Sequence, residues 1–183
     1  MTSAATLFSR QGYPSTGIDE IGAAAGITGP GVYRHFDSKN GVLDEVVRRT
    51  VDRVVAGVAE VVAEGATDWE VLDGLVRNMI TSVLDDRAGW AVVVREQRHL
   101  EPSARRALAR AHRLHTEEWV HALCGARPDL SEAEVRVMVH GVLGVAAPFA
   151  VRYDADLERA RTEELLHAAA MAVLRSATPA EGA

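Results

Sequence analysis

The chain lacks much that other protein classes depend on. It has one cysteine, Cys124, in 183 residues, which excludes an internal disulfide and suits a reducing cytoplasm. Aromatic residues are only 5% of the total, so a core must be built mostly from Ala, Val and Leu. Positive charge is not in excess. The net charge of −6 argues against a surface coated in basic residues, so any nucleic-acid contact must be local. Long hydrophobic runs are missing as well. The longest stretch without a formal charge, Val137 to Val151, contains His140 and Pro148 and is too short to span a bilayer. Arg10 and Gln11 interrupt any apolar run near the start, so no signal peptide is read there. A cytoplasmic protein without membrane contact is expected. No Gly-x-Ser-x-Gly, phosphate loop or His-Glu-x-x-His occurs, and Cys124 has no basic partner close in sequence. The chain is therefore not expected to be an enzyme or to hold a cofactor. His112 and His115 share a side of a helix, but no Cys or carboxylate completes a metal site there, and none is expected.

What is present is helical periodicity, with no convincing strand alternation. A first helix is predicted over Ser3 to Gln11, with Ala5, Leu7 and Phe8 inward and Gly12 stopping it. Two short helices follow, Gly17 to Ala25 and Gly29 to His35. A long one runs from Ser38 to Ala63, with Val42, Leu43, Val46, Val47, Val51, Val54, Val55 and Val58 as its apolar stripe. Gly65 to Asp68 breaks the chain, with Asp68 as an N-cap for a helix to Asp86. Gly89 and Pro102 bracket a shorter helix holding Trp90 to His99, and a long one runs from Pro102 to Leu123. Ser131 and Glu134 read as a capping box for a helix carrying Val135 to Val151. The last helix runs from Asp156 to Arg175, ahead of a frayed tail. The expected architecture is all-α, with about nine helices. Residues 1–45 form a three-helix unit and residues 46–183 a larger helical domain.

The run TGIDEIGAAAGITGPGVYRHF, Thr16 to Phe36, is written as a helix-turn-helix, a device that places a short helix in the DNA major groove. Thr16 is placed to cap the first helix of the pair. Ile18, Ile21 and Ala25 give that helix an apolar face, and Gly22 allows a close crossing. Gly26 makes the turn, and Ile27 and Val32 plug the core between the helices. Thr28 caps the second helix, whose first N–H groups attract a phosphate. Gly29, Pro30 and Gly31 fill an exposed first turn, where the Pro30 ring could touch a thymine methyl. Tyr33 and Arg34 can reach phosphate oxygens, Arg34 also a guanine edge, and His35 crowds the same helix end. Lys39 is the only lysine, beside nineteen arginines in the Lys plus Arg total of 20. Its ammonium at a helix N-terminus opposes the helix dipole, a conflict that a nearby phosphate would remove. The candidate DNA contacts are thus Thr16, Thr28, Gly29, Pro30, Gly31, Tyr33, Arg34, His35 and Lys39. From Met1 to Thr50 five basic residues balance five acidic ones. Phosphate contacts and DNA shape are expected to supply much of the affinity. The competing reading of the same spacing is a plain helical hairpin inside a larger bundle.

The segment GYPSTGIDEIGAAAGITGPGVYRHFDSKNGVLDEVV resembles the DNA-binding region of TetR-type transcriptional repressors. The matching positions are Phe8, Gly12, Tyr13, Thr16, Ile21, Ala25, Gly26, Ile27, Tyr33, His35, Phe36, Lys39 and Leu43. The resemblance covers about Ala4 to Val47. It implies an all-α homodimer, double-stranded operator DNA as partner and release of that DNA by a small molecule. It also puts the family's phosphate-contacting tyrosine, histidine and lysine on Tyr33, His35 and Lys39. Two departures stand out. Gly22 replaces the usual Ala, and most members have a basic arm and a fuller first helix ahead of the position of Ala4. Either the true start lies upstream, or phosphate contacts are lost. The latter would make the chain a small-molecule-binding sensor with weak or lost DNA binding.

In the larger domain, the helix from Val135 to Val151 is apolar almost all round, with Val135, Met138, Val142, Val145 and Phe149 as one stripe. It reads as buried. Gly141 and Gly144 narrow another side. With the last helix (Leu165, Ala168, Ala169, Ala172, Val173) it could form a four-helix bundle across a two-fold axis. The candidate effector contacts are Met79, Val83, Trp90, Val94, Arg98, His112, His115, Trp119 and Phe149, apolar walls with a few polar anchors. Leu108, His112, His115, Trp119 and Ala122 share a helical face. Six arginines against two acids from Arg95 to Arg113 read as a solvated face or as a site for an anion, such as a carboxylate or an acyl thioester. The effector is thus expected to be apolar or acyl-type.

Overall fold

Helical periodicity becomes helix along nearly the whole chain. The computed structural model describes residues 1–64, 67–152 and 157–176, apart from the side chains of 145–148, 150 and 152. Among the described residues there are nine α-helices, one 3-10 turn and no strand. The helices are α1 (Thr2–Gln11), α2 (Ile18–Ala24), α3 (Gly29–Tyr33), α4 (Lys39–Glu64) and α5 (Asp68–Asp85). After them come α6 (Arg87–Arg95), the 3-10 turn (Gln97–His99), α7 (Pro102–Ala126), α8 (Glu132–Arg152) and α9 (Arg159–Ser176). The break at Gly65 and Ala66, the expected start at Asp156, the side chain of Val145 and the tail 177–183 lie outside the described residues.

Local chemistry sets the helix ends. Gly12 stops α1 at φ 82, returning its N–H to the Phe8 carbonyl. Ser38 Oγ accepts the Gly41 N–H at 3.0 Å and opens α4. At α5 the cap is Thr67, not the expected Asp68. Thr67 Oγ1 accepts the Glu70 N–H at 3.3 Å and donates to Glu70 Oε2 at 2.8 Å, which makes Asp68 the first helical residue. Ser131 and Glu134 form the expected reciprocal box, with Ser131 N–H donating to Glu134 Oε2 at 2.8 Å. Asp86 caps α6 through the Gly89 N–H at 2.9 Å. The single helix expected from Trp90 to His99 is therefore two pieces. The chain leaves α6 at Glu96, which is 6% exposed and hydrogen-bonded to His99 Nδ1 at 2.9 Å.

Contacts divide the chain into two compact units, Met1–Arg53 with Asp86–Arg110, and Val54–Asp85 with Ala111–Ala183. The first unit is larger than the 1–45 domain expected from sequence, because α6 packs along α1. Val92, Val93 and Leu100 share one core with Ala4, Phe8, Ile21, Val32, Val42, Leu43 and Val46. No local pattern could have enlisted residues half a chain away.

In the second unit α5 packs on α8 and α9. Its core includes Leu72, Leu75, Val76, Trp119, Leu123, Val135, Val139 and Leu174. The α4 stripe is narrower than expected there, with Val54 and Val58 buried but Val55 44% exposed. Helix α8 is not buried all round. Val137 is 74% exposed, and Gly141 and Gly144 face open space. Among the described residues no helix is long and apolar enough to cross a membrane.

Candidate nucleic-acid interface and effector region

The crossing of α2 and α3 is set by two glycines. Gly26 takes φ 73, a conformation that costs glycine little. At Gly22 an added Cβ would lie 2.9 Å from the Thr28 carbonyl carbon and 3.0 Å from Gly29 N, so this crossing needs a residue without a side chain. Helix α2 starts from Gly17, whose N–H donates to Glu20 Oε2 at 2.7 Å. The expected cap, Thr16, is 1% exposed, and its hydroxyl donates to the Gly12 carbonyl at 2.8 Å. Its side chain therefore belongs to the core of the unit and not to a DNA-facing surface. Ala25 and Ile27 were expected in the core. Both are exposed, Ile27 by 45%, and Val32 alone plugs that side.

Helix α3 is capped as expected, with Thr28 Oγ1 accepting the Gly31 N–H at 3.2 Å. The helix is two residues shorter than expected. It ends at Tyr33, and the next turn is tightened by His35 and Phe36 N–H groups that both reach the Val32 carbonyl. Its first turn is not open throughout. Gly29 is buried against Asp19, Gly31 is half-buried and Pro30 is exposed. Tyr33 is 54% exposed, and Thr28, Pro30, Arg34 and His35 are exposed as well. Five of the nine candidate DNA contacts are thus exposed, at the start of α3 and in the turn at its end.

Lys39 departs furthest from expectation. Its Nζ donates to the carbonyls of Tyr13 at 3.0 Å, Pro14 at 3.3 Å and Thr16 at 2.9 Å, and lies 4.4 Å from the centre of the Tyr13 ring. An ammonium has three protons, and all three have acceptors here. The conflict with the α4 dipole is resolved inside the protein, by the turn between α1 and α2, without a phosphate.

Sequence reasoning missed the polar cluster around Tyr13. The Tyr13 hydroxyl donates to Asn40 Oδ1, and Asn40 Nδ2 donates to the His99 carbonyl at 3.1 Å and Glu101 Oε1 at 3.0 Å. The His99 ring stacks on Tyr13 at 5.0 Å. Burial, then the carboxylates of Asp44 and Glu101, push the Tyr13 phenol above its ordinary value, so it remains a donor. The i, i+3 spacing of Glu96 and His99 was a legible signal. The partnership with Asn40, 59 residues from His99, was not.

The candidate effector residues separate. Met79, Val83 and Phe149 do line one cavity of about 70 Å³, with Ile80, Val142, Leu166, Ala169, Ala170 and Val173. This is far below the roughly 300–1,000 Å³ of pockets for drug-sized ligands. Trp90 packs instead on the core of the first unit, Val94 is 37% exposed and Arg98 is exposed. On α7 the expected common face breaks up. Leu108 joins the core of the first unit and His112 is exposed, while Trp119 is fully buried and donates Nε1–H to His115 Nε2 at 3.1 Å. Periodicity gives the face of a helix but not how far along it the covering neighbours extend. Among the described residues no group of three His, Cys, Asp or Glu side chains is placed to hold a metal ion.

This N-terminal arrangement has known counterparts. Residues 1–46 match the family model of bacterial regulatory proteins of the tetR family. Over those residues the chain is similar to the TetR family. Over 102 residues the chain is 33% identical to the HTH-type transcriptional repressor KstR2 of Rhodococcus jostii (strain RHA1), covering 56% of the chain and 50% of that relative. Over 102 residues it is 28% identical to the HTH-type transcriptional activator FasR of Mycolicibacterium smegmatis (strain ATCC 700084 / mc(2)155), covering 56% of the chain and 47% of that relative. The chain thus spans about half the length of the curated relatives it matches. Its fold is similar to that of the TetR-family regulator PfmR of Thermus thermophilus, with TM-score 0.84, 21% identity and 97% of each chain covered.

Proposed function

We propose that this chain is a cytoplasmic transcriptional regulator, a repressor, that binds operator DNA through α3 and the turn after it and is released by a small molecule. The observation that carries this reading is the exposure of Thr28, Pro30, Tyr33, Arg34 and His35 on a helix-turn-helix whose crossing is close at Gly22 and whose turn is made at Gly26. A phenol, a guanidinium and an imidazole side by side suit phosphate oxygens and guanine edges. An operator with two half-sites calls for a two-fold dimer. The exposed Val137 on α8, with Leu165 and Val173 on α9, supports pairing of these two helices with their copies in a second chain. The apolar lining of the cavity at Met79, Val83 and Phe149 supports an apolar effector, for which the site would have to widen.

The test is fluorescence anisotropy with a duplex from the chain's own upstream region, at 50 and 200 mM salt. A regulator of this kind binds with an affinity that falls steeply with salt, since each neutralised phosphate adds about −0.9 to the logarithmic slope. Equal affinity for that duplex and for unrelated DNA would remove the operator reading. The internal bonding of Lys39 favours a second reading, a sensor with weak DNA affinity. Effector binding without any DNA shift would establish it.

A further inference from the structure

The outward residues of α9 form one apolar stripe. Leu165, Ala168, Ala169, Ala172 and Val173 recur at helical spacing and are all exposed, Leu165 by 44% and Val173 by 39%. Between Glu164 and Arg175 no formal charge interrupts it. Two of these residues have a second role. Ala169 and Val173 also line the apolar cavity of about 70 Å³ that Met79, Val83 and Phe149 share. A cavity walled in part by exposed residues opens to the surface, so its mouth lies on this stripe. Its lining is apolar throughout. Its size is restrictive, since roughly 150 Å³ is what admits benzene, and less than half of that leaves room for about one aliphatic side chain.

We infer that this cavity is a socket for the Leu165 side chain of a second copy of this chain. A two-fold axis crossing α9 near Ala169 sets the helix antiparallel to its copy. Leu165 of each chain then comes opposite Val173 of the other, at the mouth of the socket. The alanines at 168, 169 and 172 let the two helices approach closely enough for a branched side chain to enter. Knob and hole thus stand on one face of the same helix, as a self-complementary two-fold contact requires. The inference rests on the dimeric, effector-responsive reading and deepens it. An apolar effector that enters or widens the cavity meets the side chain of the second copy there. The two exclude each other, so effector binding loosens the dimer that an operator with two half-sites requires.

The test is sedimentation equilibrium of the full chain without DNA, arranged as a double-mutant cycle. Ala170 lines the cavity, is half-buried and lies off the exposed stripe, so Ala170→Leu fills the socket from within its own chain. Ala170→Leu and Leu165→Ala should each weaken dimerisation about tenfold. The double variant should be no weaker than Leu165→Ala alone, because a filled socket costs nothing once the knob is gone. Unchanged dimerisation in Ala170→Leu, additive losses in the double variant, or a wild-type chain that stays monomeric overturns the inference. If Ala170→Leu does not fold, xenon decides, as a probe of apolar cavities. By ¹²⁹Xe NMR, at concentrations where both proteins are dimeric, Leu165→Ala should bind xenon and the wild type should not. Equal uptake by the two dimers would leave the cavity as a ligand pocket alone and overturn the inference. Failure of the regulator reading is separately legible, since it appears as absence of operator binding.

Discussion

The two units treat their polar groups in opposite ways. In the first, buried polar side chains are matched within the unit. Lys39 takes three carbonyls, Glu96 takes His99, and Tyr13 and Asn40 take each other. What is left exposed there is a short set of residues suited to phosphate and base. In the second unit the unmet needs are of another kind, an orphan donor at His115, a small apolar cavity and exposed Val137, Leu165 and Val173. The difference teaches where partners belong. A surface that reads DNA must be rigid before binding, so its supports are completed internally. On the proposed function, a small apolar cavity and exposed apolar side chains in the second unit suit an effector or a second copy.

Four experiments would break or sharpen this contrast. The largest effect is expected at Phe8, which is fully buried in the first unit. Phe8→Ala should cost about 3–5 kcal/mol in urea unfolding and remove DNA binding, since α1 supports α2. A cost below 1 kcal/mol would mean that the platform is not rigid. Next comes the pH dependence set by His115, whose imidazole is held down to about 4. The unfolded ring titrates near 6.5, so the unfolded chain binds this proton first. Stability should be full above about pH 6.5 and fall by about 3 kcal/mol as pH drops through 4. That loss should be absent in His115→Phe, and an identical pH profile for both proteins would exclude a buried neutral ring.

Lys39→Met should cost about 1–3 kcal/mol without DNA present, by leaving the Tyr13, Pro14 and Thr16 carbonyls without their donor. Unchanged stability with a shallower salt slope would return Lys39 to the DNA-contacting set. The smallest effect is expected at the exposed residues of α3 and the turn after it. Tyr33→Phe should leave the melting temperature unchanged and weaken operator binding by about 1 kcal/mol, read by anisotropy. Full affinity would take Tyr33 out of the interface.

Some of this was legible in local spacing. Thr28 three residues ahead of Gly31, Ser131 three ahead of Glu134 and Gly12 after Phe8 each mark a helix end through bonds that span one turn. Gly22 and Gly26 announce the crossing and turn of α2 and α3 for the same reason. The candidate site was legible in part. Pro30, Tyr33, Arg34 and His35 follow from their place around a short helix, but Gly29 does not, because Asp19 of the preceding helix covers it.

The amino-acid order alone therefore determined the all-helical character of the chain, most of its helix ends and the helix-turn-helix, all of which rest on contacts within a few residues. Only the tertiary structure decided that α6 completes the first unit, that Lys39 bonds inward, that Val137 faces solvent and that His115 Nδ1 is left without an acceptor. Each of these depends on which distant residue comes to cover a side chain. Periodicity along one helix carries no information about its neighbours.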